Sequence, residues 1–112
     1  MALAECCVSH PAQGLGAVVR LDPNGLRRDA LLFGEIQARV ILSVKPAQVD
    51  AVLQAAHAAG VAGEAIGTVG GGRLVVEVVA DRRDPGCRID ADLGVLVDRW
   101  ANSLERSLGE GL

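Results

Sequence analysis

The chain has 112 residues, half of them hydrophobic and 22% charged, a size and balance that suit one globular domain and exclude both a disordered segment and two independent cores. A formal charge of −3 without any polybasic run, and an aromatic complement of one Trp and one Phe with no Tyr, argue against a phosphate-backbone binder and against a stacking platform for single-stranded nucleic acid. No apolar run reaches the roughly 18 residues of a membrane span, and the N-terminus lacks the basic start and apolar stretch of a signal peptide, so a cytoplasmic protein with neither nucleic-acid nor membrane partners is expected.

Ala2, Leu3, Ala4, Glu5 and Cys6 suit a helix, although no N-cap residue precedes them. A turn is expected around His10 to Gly14. Gly16 to Leu21 is a short β-branched run that ends at Asp22, Pro23, Asn24 and Gly25, so a strand followed by a turn is predicted. Leu26 to Phe33 allows a short helix stopped near Gly34. Arg39 to Val44 is almost continuously apolar and reads as a second strand covered on both faces.

Pro46 occupies the position a helix favours for its first residue, and Val49, Val52, Leu53 and Ala56 recur at helical spacing until Gly60 supplies a stop. Ala65 to Val69 and Leu74 to Val79 read as two further strands, joined through Gly70, Gly71 and Gly72 as an antiparallel hairpin. The Arg39 strand, the Pro46 helix and the Ala65 strand form a candidate right-handed crossover with parallel strands. Asp81 to Gly86 is a polar loop. Leu93, Leu96, Val97, Trp100, Leu104 and Leu108 then form one helical stripe, capped near Asp90 or Asp92 and fraying at Gly109. The fold class expected is α/β (α+β), a mixed sheet of about four strands with the Pro46 and Asp90 helices packed on it.

The glycines at 67 and 70–72 invite a phosphate-loop reading. Such loops lead from a strand into a helix N-terminus, whereas these lead into Leu74, Val75 and Val76, so a turn is expected. His10 and His57 have no carboxylate or Cys arrangement around them, and the serines lack a nucleophile elbow. Cys6, Cys7 and Cys87 show no C-x-x-C spacing and read as reduced thiols used for packing. Arg82, Arg83 and Asp84 read as a solvated loop. The most informative segment is LFGEIQAR, Leu32 to Arg39. Were it extended from Gly34, alternation would put Glu35, Gln37 and Arg39 on one face and Ile36 and Val40 on the other. An acid, an amide and a guanidinium so placed could position a polar ligand or a hydrated Mg²⁺, or could equally be an ordinary cross-face ion pair.

At these residues the chain resembles the C-terminal domain of phosphoribosylformylglycinamidine synthase, the amide ligase of purine biosynthesis. The resemblance rests on ALAECC at 2–7, GLGAVV at 14–19, LFGEIQAR at 32–39, SVKP at 43–46, IGTVGGGRL at 66–74 and the Trp100 to Leu104 stretch of the last helix. Ile36 departs from the family, which has a small or polar residue there. The resemblance implies a fold like the C-terminal domain of aminoimidazole ribonucleotide synthetase. It also implies that residues 1–112 are a single C-terminal domain of a larger enzyme, because the family's Asp-Gly-Gly turn precedes the ALAE helix and its ATP-binding half precedes both.

In such an enzyme ATP, with Mg²⁺, phosphorylates the formylglycinamide oxygen, and ammonia from a glutaminase subunit or domain displaces phosphate to give the amidine. The implied partners are the ATP-binding half and the glutaminase, with a homodimer favoured by any exposed aliphatic face. Glu35, Gln37 and Arg39 are the expected substrate-binding residues, and no catalytic or metal-ligating residue is assigned. The chain by itself is expected to be inactive and to hold neither ATP nor Mg²⁺ tightly. Relatives with a similar domain include aminoimidazole ribonucleotide synthetase, selenophosphate synthetase, thiamine monophosphate kinase and a hydrogenase maturation factor; LFGEIQAR together with IGTVGGGRL favours the amide ligase. A free-standing, non-catalytic α/β binding module is the alternative of a different class.

Overall fold

The computed structural model describes residues 2–8, 14–35 and 37–110. In chain order they form helix α1 (Ala2–Val8), strand β1 (Ala17–Leu21) and helix α2 (Arg28–Phe33), then helix α3 (Val49–Ala58) led by a 3₁₀ turn at Pro46–Gln48. Strands β2 (Gly67–Val69), β3 (Arg73–Val78) and β4 (Cys87–Asp92) follow, and helix α4 (Leu93–Glu110) ends the chain. The turn expected at His10 to Gly14 falls almost wholly outside the described residues.

The strands make one four-stranded mixed sheet in the order β2-β1-β3-β4. β1 runs parallel to β3, while β2 is antiparallel to β1 and β4 antiparallel to β3. Strand alternation sends Ala17, Val19, Leu74 and Val76 to one face, where they are buried against Cys7 and Val8 of α1 and Leu93 of α4, with Leu96 and Val97 packed alongside. The opposite face carries Val18, 54% exposed, and the charged side chains of Arg73, Arg88 and Asp90. The domain is therefore two-layered, with its core between α1, α4 and one sheet face.

Local chemistry explains the joints. Asp22 Oδ1 accepts the Asn24 N–H at 2.9 Å, and Asn24 and Gly25 adopt positive φ of 47° and 80°, which closes the turn after β1. Asp92 Oδ1 accepts the Val95 N–H at 3.2 Å and so caps α4, which continues through Gly109 to Glu110 rather than fraying there. Gly60, at φ 73°, ends the turn that follows α3.

Four expectations are corrected. β2 and β3 do not pair as a hairpin, because β1 lies between them; Gly16 N–H donates to the Gly71 carbonyl at 2.8 Å and Gly70 N–H to the Gly16 carbonyl at 2.7 Å, so the glycine link passes over the start of β1. Arg39–Val44 is not a strand: it joins no ladder, and the place beside β1 and β3 that a buried strand would need is filled by β2 and β4. The right-handed crossover with parallel strands consequently does not form. The fourth strand is instead β4, whose alternating charges concealed it. Finally, α3 buries none of its residues and is not part of the core.

A compact chain of this length has a radius of gyration near 13 Å, so the observed 16.3 Å, with extents of 56 × 36 × 25 Å, is that of an elongated molecule. No helix among the described residues is long and apolar enough to cross a membrane.

Candidate functional site

Glu35, Gln37 and Arg39 sit just beyond the end of α2. Gly34 stops that helix: it turns extended (φ −66°, ψ 142°) while its N–H still bonds the Ala30 carbonyl, and a Cβ there would overlap that same carbonyl oxygen. The extended course is soon lost, because Gln37 and Ala38 form a turn in which Ala38 takes a left-handed φ of 64°. The shared face expected for Glu35, Gln37 and Arg39 is thereby corrected, since alternation requires an unbroken strand through position 38. Ile36 lies outside the described residues. All three side chains are exposed, and among the described residues Glu35 and Arg39 form no ion pair. A group held this way is free to meet a surface the chain itself does not supply.

What the fold does bring together is a charged ladder on the uncovered sheet face, invisible without β4. Register places Arg20 beside Glu77 across β1 and β3, and Glu77 beside Arg88 across β3 and β4. Arg88 Nη1 donates to Glu77 Oε1 at 2.9 Å, and Arg73 Nε donates to Asp90 Oδ1 at 2.6 Å. Arg88 and Arg73 reach further, to Asp90 at 3.7 Å and Asp92 at 3.9 Å. The hydrogen bond from Arg73 holds the Asp90 carboxyl below the usual carboxylate range, and the carboxylate in turn holds the guanidinium above its ordinary value. The signal that could have revealed this strand is the alternation of Arg88, Asp90 and Asp92 with Ile89 and Ala91.

Two shallow clefts open where the parallel strands β1 and β3 end, and both are bordered by Arg20. One, of about 270 Å³, is lined by Asp22, Glu64, Ile66 and Val79 as well as Arg20; the other, of about 510 Å³, adds Glu77, Gly86 and Arg88. Their charges are mixed, so they select neither anions nor cations strongly. In the adjoining loop Asp81 Oδ1 accepts the Arg83 and Asp84 N–H groups, each at 2.8 Å, which lowers its carboxyl pKa. Arg28 Nε donates to Asp84 Oδ2 at 3.1 Å, tying α2 to that loop.

The remaining candidates resolve simply. Three polar groups of the glycine link are used internally: Gly70 N–H donates to the Gly16 carbonyl, the Gly71 carbonyl accepts from Gly16 N–H and the Gly72 carbonyl accepts from Leu93 N–H. The link leads into β3 and not into a helix N-terminus, so it lacks the setting of a phosphate loop. Cys6, Cys7 and Cys87 are free thiols, exposed, buried and half-buried respectively, and burial raises the Cys7 pKa. His57 is exposed; His10 and Ser9 lie outside the described residues. Among the described residues no group of three His, Cys, Asp or Glu side chains is placed to hold a metal ion.

A family model described as AIR synthase related protein, C-terminal domain, matches residues 2–80. Phosphoribosylformylglycinamidine synthase subunit PurL of Moorella thermoacetica is 46% identical over 78 residues, covering 70% of this chain and 10% of that protein. The protein of the same name from Thermomicrobium roseum is 34% identical over 107 residues, 96% of this chain and 13% of the relative. That from Alkaliphilus metalliredigens is 28% identical over 103 residues, again 13% of the relative. The chain thus spans roughly a tenth of the length of the curated relatives it matches. No solved structure gives a significant match.

Proposed function

The chain belongs to the family described as AIR synthase related protein, C-terminal domain, and from that premise we propose that it serves as the C-terminal domain of a phosphoribosylformylglycinamidine synthase. The reaction is the ATP- and glutamine-dependent amidation of formylglycinamide ribonucleotide in purine biosynthesis, carried out in the cytoplasm. The single observation that supports this reading most is the 34% identity maintained over 96% of the chain to a protein of that name. Selenophosphate synthetase and thiamine monophosphate kinase are correspondingly less favoured.

In this reading the chain is one wall of the active site. Its partners are the ATP-binding half of the enzyme and a glutaminase that supplies ammonia. Mg²⁺ would neutralise phosphate charge in the whole enzyme, but the described residues offer no cluster that fits the metal, so no step is assigned to it here. Glu35, Gln37 and Arg39 are proposed as the substrate-side contacts. They stand exposed on one loop, and closure of the ATP-binding half over that loop would exclude water from an activated intermediate that otherwise hydrolyses.

The test is a chimaera. The C-terminal segment of the Moorella thermoacetica relative is replaced by this chain, and ammonia- and glutamine-dependent amidation is assayed. Retained turnover supports the assignment, whereas a folded chimaera that binds ATP yet forms no amidine overturns it. The isolated chain, assayed beside it, is expected to hydrolyse no ATP above a buffer blank.

A further inference from the structure

From Gly34 to Gly63 no described residue is buried, although this stretch contains the most apolar run of the protein. Val40, Ile41, Leu42 and Val44 are 79%, 41%, 66% and 38% exposed. Residues 39–44 enter no strand ladder, and among the described residues their backbone groups make no hydrogen bond to other backbone. The amides of such a segment are left to water, and its apolar side chains have no cover within the described residues, which is the state that strand addition relieves. The same molecule carries a matching vacancy: β2 is an edge strand, paired with β1 on one side only, and its Val69 is 57% exposed.

We infer that two copies of this chain exchange this arm, with Val40–Val44 of one copy adding to the free edge of β2 in the other as an antiparallel fifth strand. Charge sets the register. With Val40 opposite Val69, Leu42 falls opposite Gly67 and Lys45 opposite Glu64, which pairs a cation with an anion at the end of the ladder. Val40, Leu42 and Val44 then share the sheet face of Val69, which is the face of Ala17 and the core. The arm brings its own cover, because α3 follows directly through the turn at Pro46, and its half-exposed Val52, Leu53 and Ala56 lie at helical spacing.

A specific interface buries at least about 1,200 Å² in total, and two arms, each with its helix, are the exposed apolar surface that the exchange offers to it. The two-fold exchange is closed, so it yields a dimer and not a filament. It goes beyond the proposed reaction, and its test reads no amidation, so either conclusion can fail alone.

The experiment is sedimentation velocity of the whole chain over about 1 to 100 µM, with amide hydrogen exchange at both ends of that range. The expected result is a concentration-dependent dimer in which the amides of Val40, Leu42 and Val44, the ones that face β2 in this register, slow only as dimer forms. Leu42→Pro removes a ladder donor at an exposed position and should weaken the dimer at least tenfold. Lys45→Glu and Glu64→Lys should each weaken it, and together they should restore it, which keeps the test decisive if the proline variant folds poorly. A chain that stays monomeric throughout overturns the inference. So do slow amides at Val40, Leu42 and Val44 in the monomer, which would place the segment on its own sheet, and a dimer indifferent to both the proline and the charge pair.

Discussion

Gly16 and Gly71 are joined by a 2.8 Å hydrogen bond from the Gly16 N–H to the Gly71 carbonyl, and this bond marks where β1 enters the sheet beneath the link between β2 and β3. The two glycines serve different needs. A Cβ on Gly16 would overlap the backbone of Arg73, whereas Gly71 has open space around it and a φ of 72°. Gly16→Ala should therefore destabilise by about 2 to 4 kcal/mol, in the range of severe backbone and packing lesions. Gly71→Ala should cost only about 1 kcal/mol, the strain of a left-handed alanine. Urea denaturation of the two variants checks the order, which reverses if the link and not the entry point bears the constraint.

The Arg73–Asp90 pair predicts an acid-sensitive contribution to stability. Because the folded carboxyl titrates below its unfolded value of about 3.9, the contribution is present above that value and is lost as pH falls through the folded one. The stability difference between the wild type and Asp90→Asn should be constant above about pH 5 and shrink towards zero in acid. Salt should shrink it too, since both partners are exposed. Asp81 and Asp98, also held low by hydrogen bonds, will leave the variant with a residual acid slope.

Thiol chemistry should follow burial. Cys6 is exposed, Cys87 half-buried and Cys7 buried with a raised pKa, so a disulfide reagent at neutral pH should modify them in that order. Cys7 should react only on the timescale of unfolding. Since its folded pKa lies above its unfolded value, the protein should also lose stability as pH rises past about 8.5. Mass spectrometry of peptides quenched at intervals distinguishes the three sites.

Trypsin should find Arg39 early. The residue is exposed in a segment without regular structure, whereas Arg73 and Arg88 lie within strands and are engaged in ion pairs. At about 1 µM protein a cut after Arg39 is expected before either strand arginine is attacked. An early product beginning at Leu74 instead would mean that β3 opens more readily than the arm.

The substrate-side role proposed for Glu35 predicts a kinetic signature. In the chimaeric enzyme Glu35→Gln should lower kcat/KM at least about tenfold, roughly 1.4 kcal/mol of transition-state stabilisation. The melting temperature should not move, because the side chain is exposed and unpaired among the described residues. Unaltered kinetics would return Glu35 to the solvated surface.

Periodicity and turn chemistry, both local, were enough to locate α1, β1, α2, α3, β3 and α4, the Asp22–Gly25 turn, and Asp92 as a cap. Each of those depends on residues within a few positions of one another, whose spacing already states which face is apolar. What the tertiary structure alone decided is who pairs with whom. Val40–Val44 has the composition of a buried strand yet finds no ladder, while Cys87–Asp92 has the charges of a loop yet pairs along the whole of β3. Apolar pattern reports the demand of a strand for cover, but a ladder partner is supplied by a distant segment competing for the same edge. Once β1 had paired with β3, the arginines of β3 and β4 met carboxylates across the register, and that neutralised a strand whose alternation was legible but whose charges argued for a loop. The same competition left Glu35, Gln37 and Arg39 on a broken, exposed loop in place of one strand face.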